Sequence, residues 1–272
     1  MPEQSVPGAL LDVEMSDEGG HPVVQLHGLM SSRKRDRLLD LDLGIGLSGT
    51  RLLRYDARGH GRSTGRPVPD DYRWPVLASD LLIVLDAWFP GEKVHGVGSS
   101  MGVGTLLHAA VMQPDRFSGF TLLLPPTAWE TRAAQASNYV QRAELVEREG
   151  VRAFIALDQD SPQPPATFGR PDTTPDISEA LLPSALRGAA KSNFPARQQI
   201  KDITAPATIL TWTEDSGHPL STAHALLDLM PNATLQVANR PTDVARWPQV
   251  LCEDVARDDA VGDLFNAAVA RS

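Results

Sequence analysis

The 272-residue chain predicts an α/β fold, a doubly wound and mostly parallel sheet with a helical lid inserted before the last two strands. Three observations predict it. Short leucine-rich or β-branched runs alternate with longer segments of helical periodicity, a rhythm that implies parallel strands joined by right-handed crossovers. That rhythm is broken once, between about Pro125 and Pro206, by helical stretches without a convincing strand, and then resumes. With 42% hydrophobic residues, a chain of this length can bury one sizeable core.

Val23-Val24-Gln25-Leu26 reads as a buried strand running into His27-Gly28, and Leu52 to Tyr55 as a second running into Asp56-Ala57-Arg58-Gly59. Between Asp71 and Phe89, Leu77, Leu81, Val84, Leu85 and Trp88 recur at helical spacing until Pro90-Gly91 stops them. Val94 to Gly98 is a third strand, Met101 to Met112 a helix, and Phe120 to Leu124 a fourth strand closed by Pro125-Pro126. The interruption holds helical stretches over Ala128 to Glu149 and Ile177 to Lys191, around a proline-rich Ser161 to Pro175 loop or hinge. Thr208 to Trp212, a helix from Ser221, Leu235 to Ala238 and a C-terminal helix restore the rhythm. The organisation expected is a core of residues 1–125 and 206–272 with a cap of residues 126–205. The alternative is a plain helical extension of the core.

A net charge of −9 lacks the basic stripe that nucleic-acid binding needs. The short basic run Arg33-Lys34-Arg35 reads as a solvated helix face. One cysteine, Cys252, excludes an intrachain disulfide and a thiolate metal site, and no His, Asp or Glu cluster has ligand spacing. No metal or cofactor is expected. Met1-Pro2-Glu3-Gln4 is acidic with no apolar run behind it, and the longest apolar run, around Leu81 to Val84, is short of a membrane span. The expectation is a cytoplasmic protein acting on a small molecule, without nucleic acid or membrane as partner; oligomeric state is open.

The chemistry concentrates at Gly98-Ser99-Ser100-Met101-Gly102, a G-x-S-x-G motif with a strand before it and a helix after it. A serine on so tight a turn needs small residues two positions to either side. The turn raises its hydroxyl above the carboxyl ends of the strands, and the next helix aims its N-terminus at any developing oxyanion. Gly96-Val97-Gly98 begins a dinucleotide fingerprint, but Met101 stands where its third glycine belongs, and no phosphate-loop consensus occurs.

With these residues the chain resembles the α/β-hydrolase superfamily, close in style to its enol-lactonase and small-esterase branches. Leu26-His27-Gly28-Leu29 resembles the oxyanion loop, Tyr55 to Ser63 matches D-x-R-G-x-G-x-S, Ser99 to Gly102 matches the elbow, and Thr213-Glu214-Asp215 ends a strand where the family keeps its acid. The resemblance spans roughly residues 20 to 250, the lid excepted. It implies Ser100 as nucleophile, the backbone N–H groups of Leu29 and Met101 as oxyanion hole, and the loop from Asp56 to Ser63 as a structural brace. His60 and His27 are then structural or orienting residues, and His108 packs beneath the site.

One departure stands out. The family places its general-base histidine after the last strand, yet no histidine follows His224. A serine hydroxyl is a poor nucleophile without a base. His218, in Glu214-Asp215-Ser216-Gly217-His218-Pro219, lies three residues past the expected acid and can take the role from that loop, with Asp215 or Asp243 orienting its second nitrogen. Triads are defined by geometry and role, so the exchange breaks no physical rule. His224 is the weaker candidate, and base-free or water-assisted chemistry at Ser100 is the alternative.

The function expected is a cofactor-free serine hydrolase cleaving a small or medium apolar ester, lactone or related acyl substrate. A non-hydrolytic binding protein of the same fold is the reading from another class, and a lyase or carbon–carbon hydrolase a third. Dehalogenase or epoxide-hydrolase chemistry would want a carboxylate in place of Ser100.

Overall fold

The computed structural model describes residues 2–158, 163–167, 169 and 174–269. Eight strands form one sheet in the spatial order β1 (Glu3–Val6), β2 (Ala9–Asp17), β4 (Arg51–Tyr55), β3 (Pro22–Leu26), β5 (Val94–Ser99), β6 (Phe117–Leu123), β7 (Ala207–Trp212) and β8 (Ala233–Ala238). From β4 to β8 the neighbours run parallel, while β1 and β2 pair antiparallel at one edge. The chain leaves β3 toward β4 and returns to the other side of β3 as β5. The strand order therefore reverses between β3 and β5, and open α/β sheets bind ligands beyond the carboxyl ends of the strands at such a point.

Successive residues of a strand face opposite sides of the sheet, and here both sides are covered. Val24, Leu53 and Ile209 join one core with α2 (Trp74–Trp88), α3 (Met101–Met112) and α8 (Leu220–Leu229). Val23, Leu52 and Leu210 join a second core with Trp247, Leu251 and Val255 of α10 (Trp247–Val269). That face also carries His95, Thr121 and Thr208. Their polar atoms bond Asp258 and Asp254, which lie one turn apart on α10: His95 Nδ1 to Asp258 at 2.8 Å, Thr121 Oγ1 to Asp254 at 2.7 Å and Thr208 Oγ1 to Asp254 at 2.8 Å. No described helix is long and apolar enough to cross a membrane.

Between β6 and β7 the described residues include no strand, and the helices there include α4 (Arg132–Glu149), α5 (Val151–Asp158), α6 (Leu182–Ala190) and α7 (Arg197–Lys201). Ala143, Val146, Phe154, Leu182 and Leu186 of this insertion form an apolar cluster with Tyr72, against which Leu29 and Met30 pack. The helix expected from Ile177 starts at Leu182 instead. Pro183 suits only a first turn, and Ile177 forms a bridge with His60. Most of the expected Ser161 to Pro175 hinge lies outside the described residues.

The motif loop after β4 is a brace. Asp56 accepts the Arg33 N–H at 3.0 Å, the Arg33 side chain at 3.1 and 3.2 Å, and the Arg62 N–H at 3.0 Å. Arg58 grips Asp80 through two bonds of 2.7 and 2.6 Å. Gly61 has φ +53°, and a Cβ there would stand 2.3 Å from the Asp56 carboxylate, so only glycine fits. Arg33, expected on a solvated face, is 7% exposed; it begins α1 (Arg33–Leu38) and is held by Asp56 and Asp12.

His60 is 1% exposed, gives Nδ1–H to the Arg58 carbonyl at 2.9 Å, and leaves Nε2 buried without a partner among the described residues. Burial holds its imidazole down at about 3, against 6.5 when free. The unfolded chain thus takes up this proton first as pH falls, so the His60 contribution is full above 6.5 and is lost on the way down to about 3. At ~1.4 kcal/mol per unit, the loss is on the order of a few kcal/mol. Asp36, raised to about 6 by burial, acts in the opposite sense as pH falls from 6 toward 4. The His60 share is therefore the difference between wild type and His60→Asn, whose unfolding free energy is expected to lose less on going from pH 7 to 4. Parallel urea titrations across that range would refute the assignment.

Candidate active site

Ser100 sits between β5 and α3 with φ 51° and ψ −106°, a conformation that costs a non-glycine residue on the order of 1–3 kcal/mol and persists only when its surroundings hold it. The neighbours enforce it. A Cβ on Gly98 would come within 2.7 Å of Gly102 and Leu106, and one on Gly102 within 2.8 Å of the Leu26 carbonyl. Asp40, Leu124 and Glu214 also have positive φ and line the same pocket, so backbone strain gathers around one cavity of about 870 Å³.

The loop after β7 brings His218 to Ser100. Ser100 Oγ lies 2.9 Å from His218 Nε2, and His218 Nδ1 lies 2.8 Å from Asp215 Oδ2. A carboxylate can only accept, so Nδ1 carries the ring proton and the Nε2 lone pair faces the serine hydroxyl. The Asp215 carboxylate is saturated: Oδ2 also takes the Trp212 indole N–H at 2.7 Å, while Oδ1 takes the N–H groups of Gly217 at 2.9 Å and His218 at 3.2 Å. Burial alone would raise this carboxyl, but the charge and hydrogen bond of His218, with Trp212 and Gly217, hold it well below the usual carboxylate range. These bonds curl Asp215-Ser216-Gly217-His218 into a turn that presents a carboxylate and an imidazole three residues apart. The Gly217 carbonyl accepts from Thr127 N–H at 3.1 Å, tying this turn to the first residues of the insertion.

The two candidate aspartates have separate places. Asp243 accepts the N–H groups of Asn239 and Arg240 at 3.0 and 3.1 Å, so it folds the start of α9 (Pro241–Val244) and has no bond to His218. This turn occupies the stretch after the last strand. His224 is exposed on α8. His108 donates to the Asn193 carbonyl at 2.8 Å, which fastens α3 to the segment between α6 and α7.

On the other wall, Gly28 stands so close to the elbow that a Cβ would meet the Ser100 Cβ at 3.4 Å. Among the described residues, no protein acceptor takes the N–H of Leu29 or Met101. The second opens α3, where the helix dipole also favours negative charge. His27 holds the loop in place. Its Nε2 accepts the Ala57 N–H at 2.9 Å, so Nδ1–H donates to the Gly28 carbonyl at 2.8 Å and the ring is neutral. Sequence reasoning missed Trp212, whose indole fixes Asp215 from three residues upstream and stacks on Trp247 at 6.0 Å between ring centroids. Its only signal is an aromatic donor at the end of β7.

The α/β hydrolase fold family model matches residues 21–223. A Caulobacter sp. protein named for carbamate hydrolysis, RutD, is 24% identical over 246 residues, covering 79% of this chain and 85% of its own. The 3-oxoadipate enol-lactonase 1 of Acinetobacter baylyi is 34% identical over 106 residues, 39% of this chain and 37% of that protein. Among solved structures, the enol-lactonase of Burkholderia xenovorans superposes with a TM-score of 0.75 at 20% identity, covering 94% of this chain and all of the other. With the match running from β3 through the elbow and the Asp215–His218 turn into α8, the chain belongs to the α/β hydrolase fold family.

Proposed function

We propose that this protein is a cofactor-free serine hydrolase that cleaves a small or medium, largely apolar ester, lactone or related acyl compound through an acyl-enzyme on Ser100. The observation that carries the reading is the 2.9 Å contact between Ser100 Oγ and His218 Nε2, with Asp215 on the far ring nitrogen. Ser100 attacks the carbonyl carbon as His218 Nε2 takes its proton. The oxyanion forms against the N–H groups of Leu29 and Met101. On collapse, His218 returns the proton to the leaving oxygen or nitrogen, and water repeats the sequence to release the acid. Asp215 stays ionised throughout, fixing the tautomer and balancing the imidazolium.

A cavity of about 870 Å³ suits a small or medium substrate. Residues 126–205 act in this reading as the lid, and Gln163, Pro164 and Thr167 line the cavity beside the elbow. Carbamates fall within the same acyl chemistry. The alternative of a non-hydrolytic binding protein drew on the histidine absent after β8, and the His218 contact speaks for the hydrolase. A fluorophosphonate probe is expected to label wild type at Ser100 and to leave Ser100→Ala unlabelled. Wild type left unlabelled where a control esterase reacts would sink the proposal.

A further inference from the structure

Asp36, on α1, is 3% exposed yet forms part of the wall of the pocket that holds Ser100. One of its carboxylate oxygens accepts the Ser31 hydroxyl at 2.6 Å, and among the described residues the other has no hydrogen-bond partner. A carboxylate this deeply set is costly to leave half-partnered, so what enters the pocket is drawn to its open oxygen. A chain of contacts leads from it to the nucleophile. Ser31 N–H donates to the Gly28 carbonyl at 3.1 Å, and Gly28 abuts Ser100.

The charge of the wall favours one kind of occupant. Among the described residues it carries the carboxylates of Asp36, Asp40, Asp42, Glu214 and Asp215 against the guanidiniums of Arg35 and Arg37. Arg37 is tied to Asp42 and Glu14, and Arg35 gives one nitrogen to the Met30 carbonyl. Asp42 is further held by Arg54, and Asp215 is saturated within its own turn. Asp36 is thus a deep acceptor left open in the wall of the pocket that holds Ser100.

We infer that Asp36 is a specificity-determining residue that receives a cationic nitrogen of the substrate, so that the preferred compounds are acyl derivatives of amine-bearing molecules and free carboxylates are disfavoured. The inference rests on the reading of this pocket as an acyl-transfer site, and its test separates the two. Hexylammonium, hexanol and hexanoate are titrated calorimetrically, at pH 7.5, into Ser100→Ala protein and into the same protein carrying Asp36→Asn or Asp36→Leu. Hexylammonium is expected to bind about tenfold more tightly than hexanol, with hexanoate weakest, because a charge-assisted hydrogen bond in a partly dry pocket outweighs the neutral one. Both Asp36 substitutions should remove that preference while hexanol affinity changes by less than about threefold, which also shows that the pocket is intact.

A hexylammonium affinity unchanged by both substitutions, or hexanoate as the tightest ligand, overturns the assignment. Turnover is read separately, by comparing 6-aminohexanoyl and heptanoyl nitrophenyl esters with wild type. If neither ester is cleaved while the binding difference holds, the hydrolase reading fails and the cation subsite stands. If both are cleaved alike and the binding difference is absent, the reverse is true.

Discussion

Alanine at His218 is expected to lower kcat for a short-chain chromogenic ester by on the order of 10⁴ to 10⁶, with Ser100→Ala similar and the double variant no worse. The equivalence follows from geometry. Each group works only through the other: the hydroxyl is inert until Nε2 takes its proton, and Nε2 has no task without the hydroxyl 2.9 Å away. Asp215→Asn is expected to cost about 10⁴, because an amide has one acceptor oxygen where four N–H donors now converge. Its NH₂ must confront either the indole and ring N–H groups or the two backbone N–H groups. Asp215 is held far below the ordinary carboxylate range, so activity lost in mild acid comes from other groups. Full activity in His218→Ala beside a dead Ser100→Ala would show that the proton goes elsewhere.

The parts of this site that were legible in the sequence are those whose constraint is local. The elbow announces itself because the strained turn at Ser100 excludes any Cβ at Gly98 and Gly102. Helix α3, expected from Met101 to Met112, has those ends because its periodicity is intact and both its boundaries are sharp. The Asp215–His218 turn is readable for the same reason, since its hydrogen bonds run within four residues.

What escaped depends on distant partners. Strand β2 hides because Asp12 interrupts its buried run between Leu11 and Val13, a residue tolerated only through Arg33 from α1. The basic run at Arg33 looked solvated for the mirror-image reason. The edge strand β1 shows one buried residue, Val6, and offers no pattern to find. Asp36 reads in sequence as one acid among basic neighbours, and only the fold turns it into the pocket.

The largest effect on stability is expected from Asp56→Ala, a loss of about 3–5 kcal/mol in unfolding free energy and a fall in Tm of roughly 10 °C. Deleting the carboxylate removes no apolar packing to speak of. It strands the donors that converge on it, namely the Arg33 backbone N–H and guanidinium and the Arg62 N–H, in a region where Arg33 is 7% exposed. Asp12 still faces the guanidinium, so one ion pair survives and the fold persists in weakened form. Asp56→Asn should recover half of the loss at most, since its NH₂ would oppose donors on one side. Urea unfolding followed by tryptophan fluorescence measures this, and a change below ~0.5 kcal/mol for Asp56→Ala would refute it.

The same substitution is expected to reach the chemistry. Ala57, next in the chain, gives its N–H to His27, and His27 in turn holds the Gly28 carbonyl of the loop that carries the Leu29 N–H. A loosened brace therefore shifts the donor that the proposed mechanism sets against the oxyanion, which matters in the transition state more than in binding. The signature is a fall in kcat with KM little changed in protein that is still folded, a split that a purely global loss of stability would not produce.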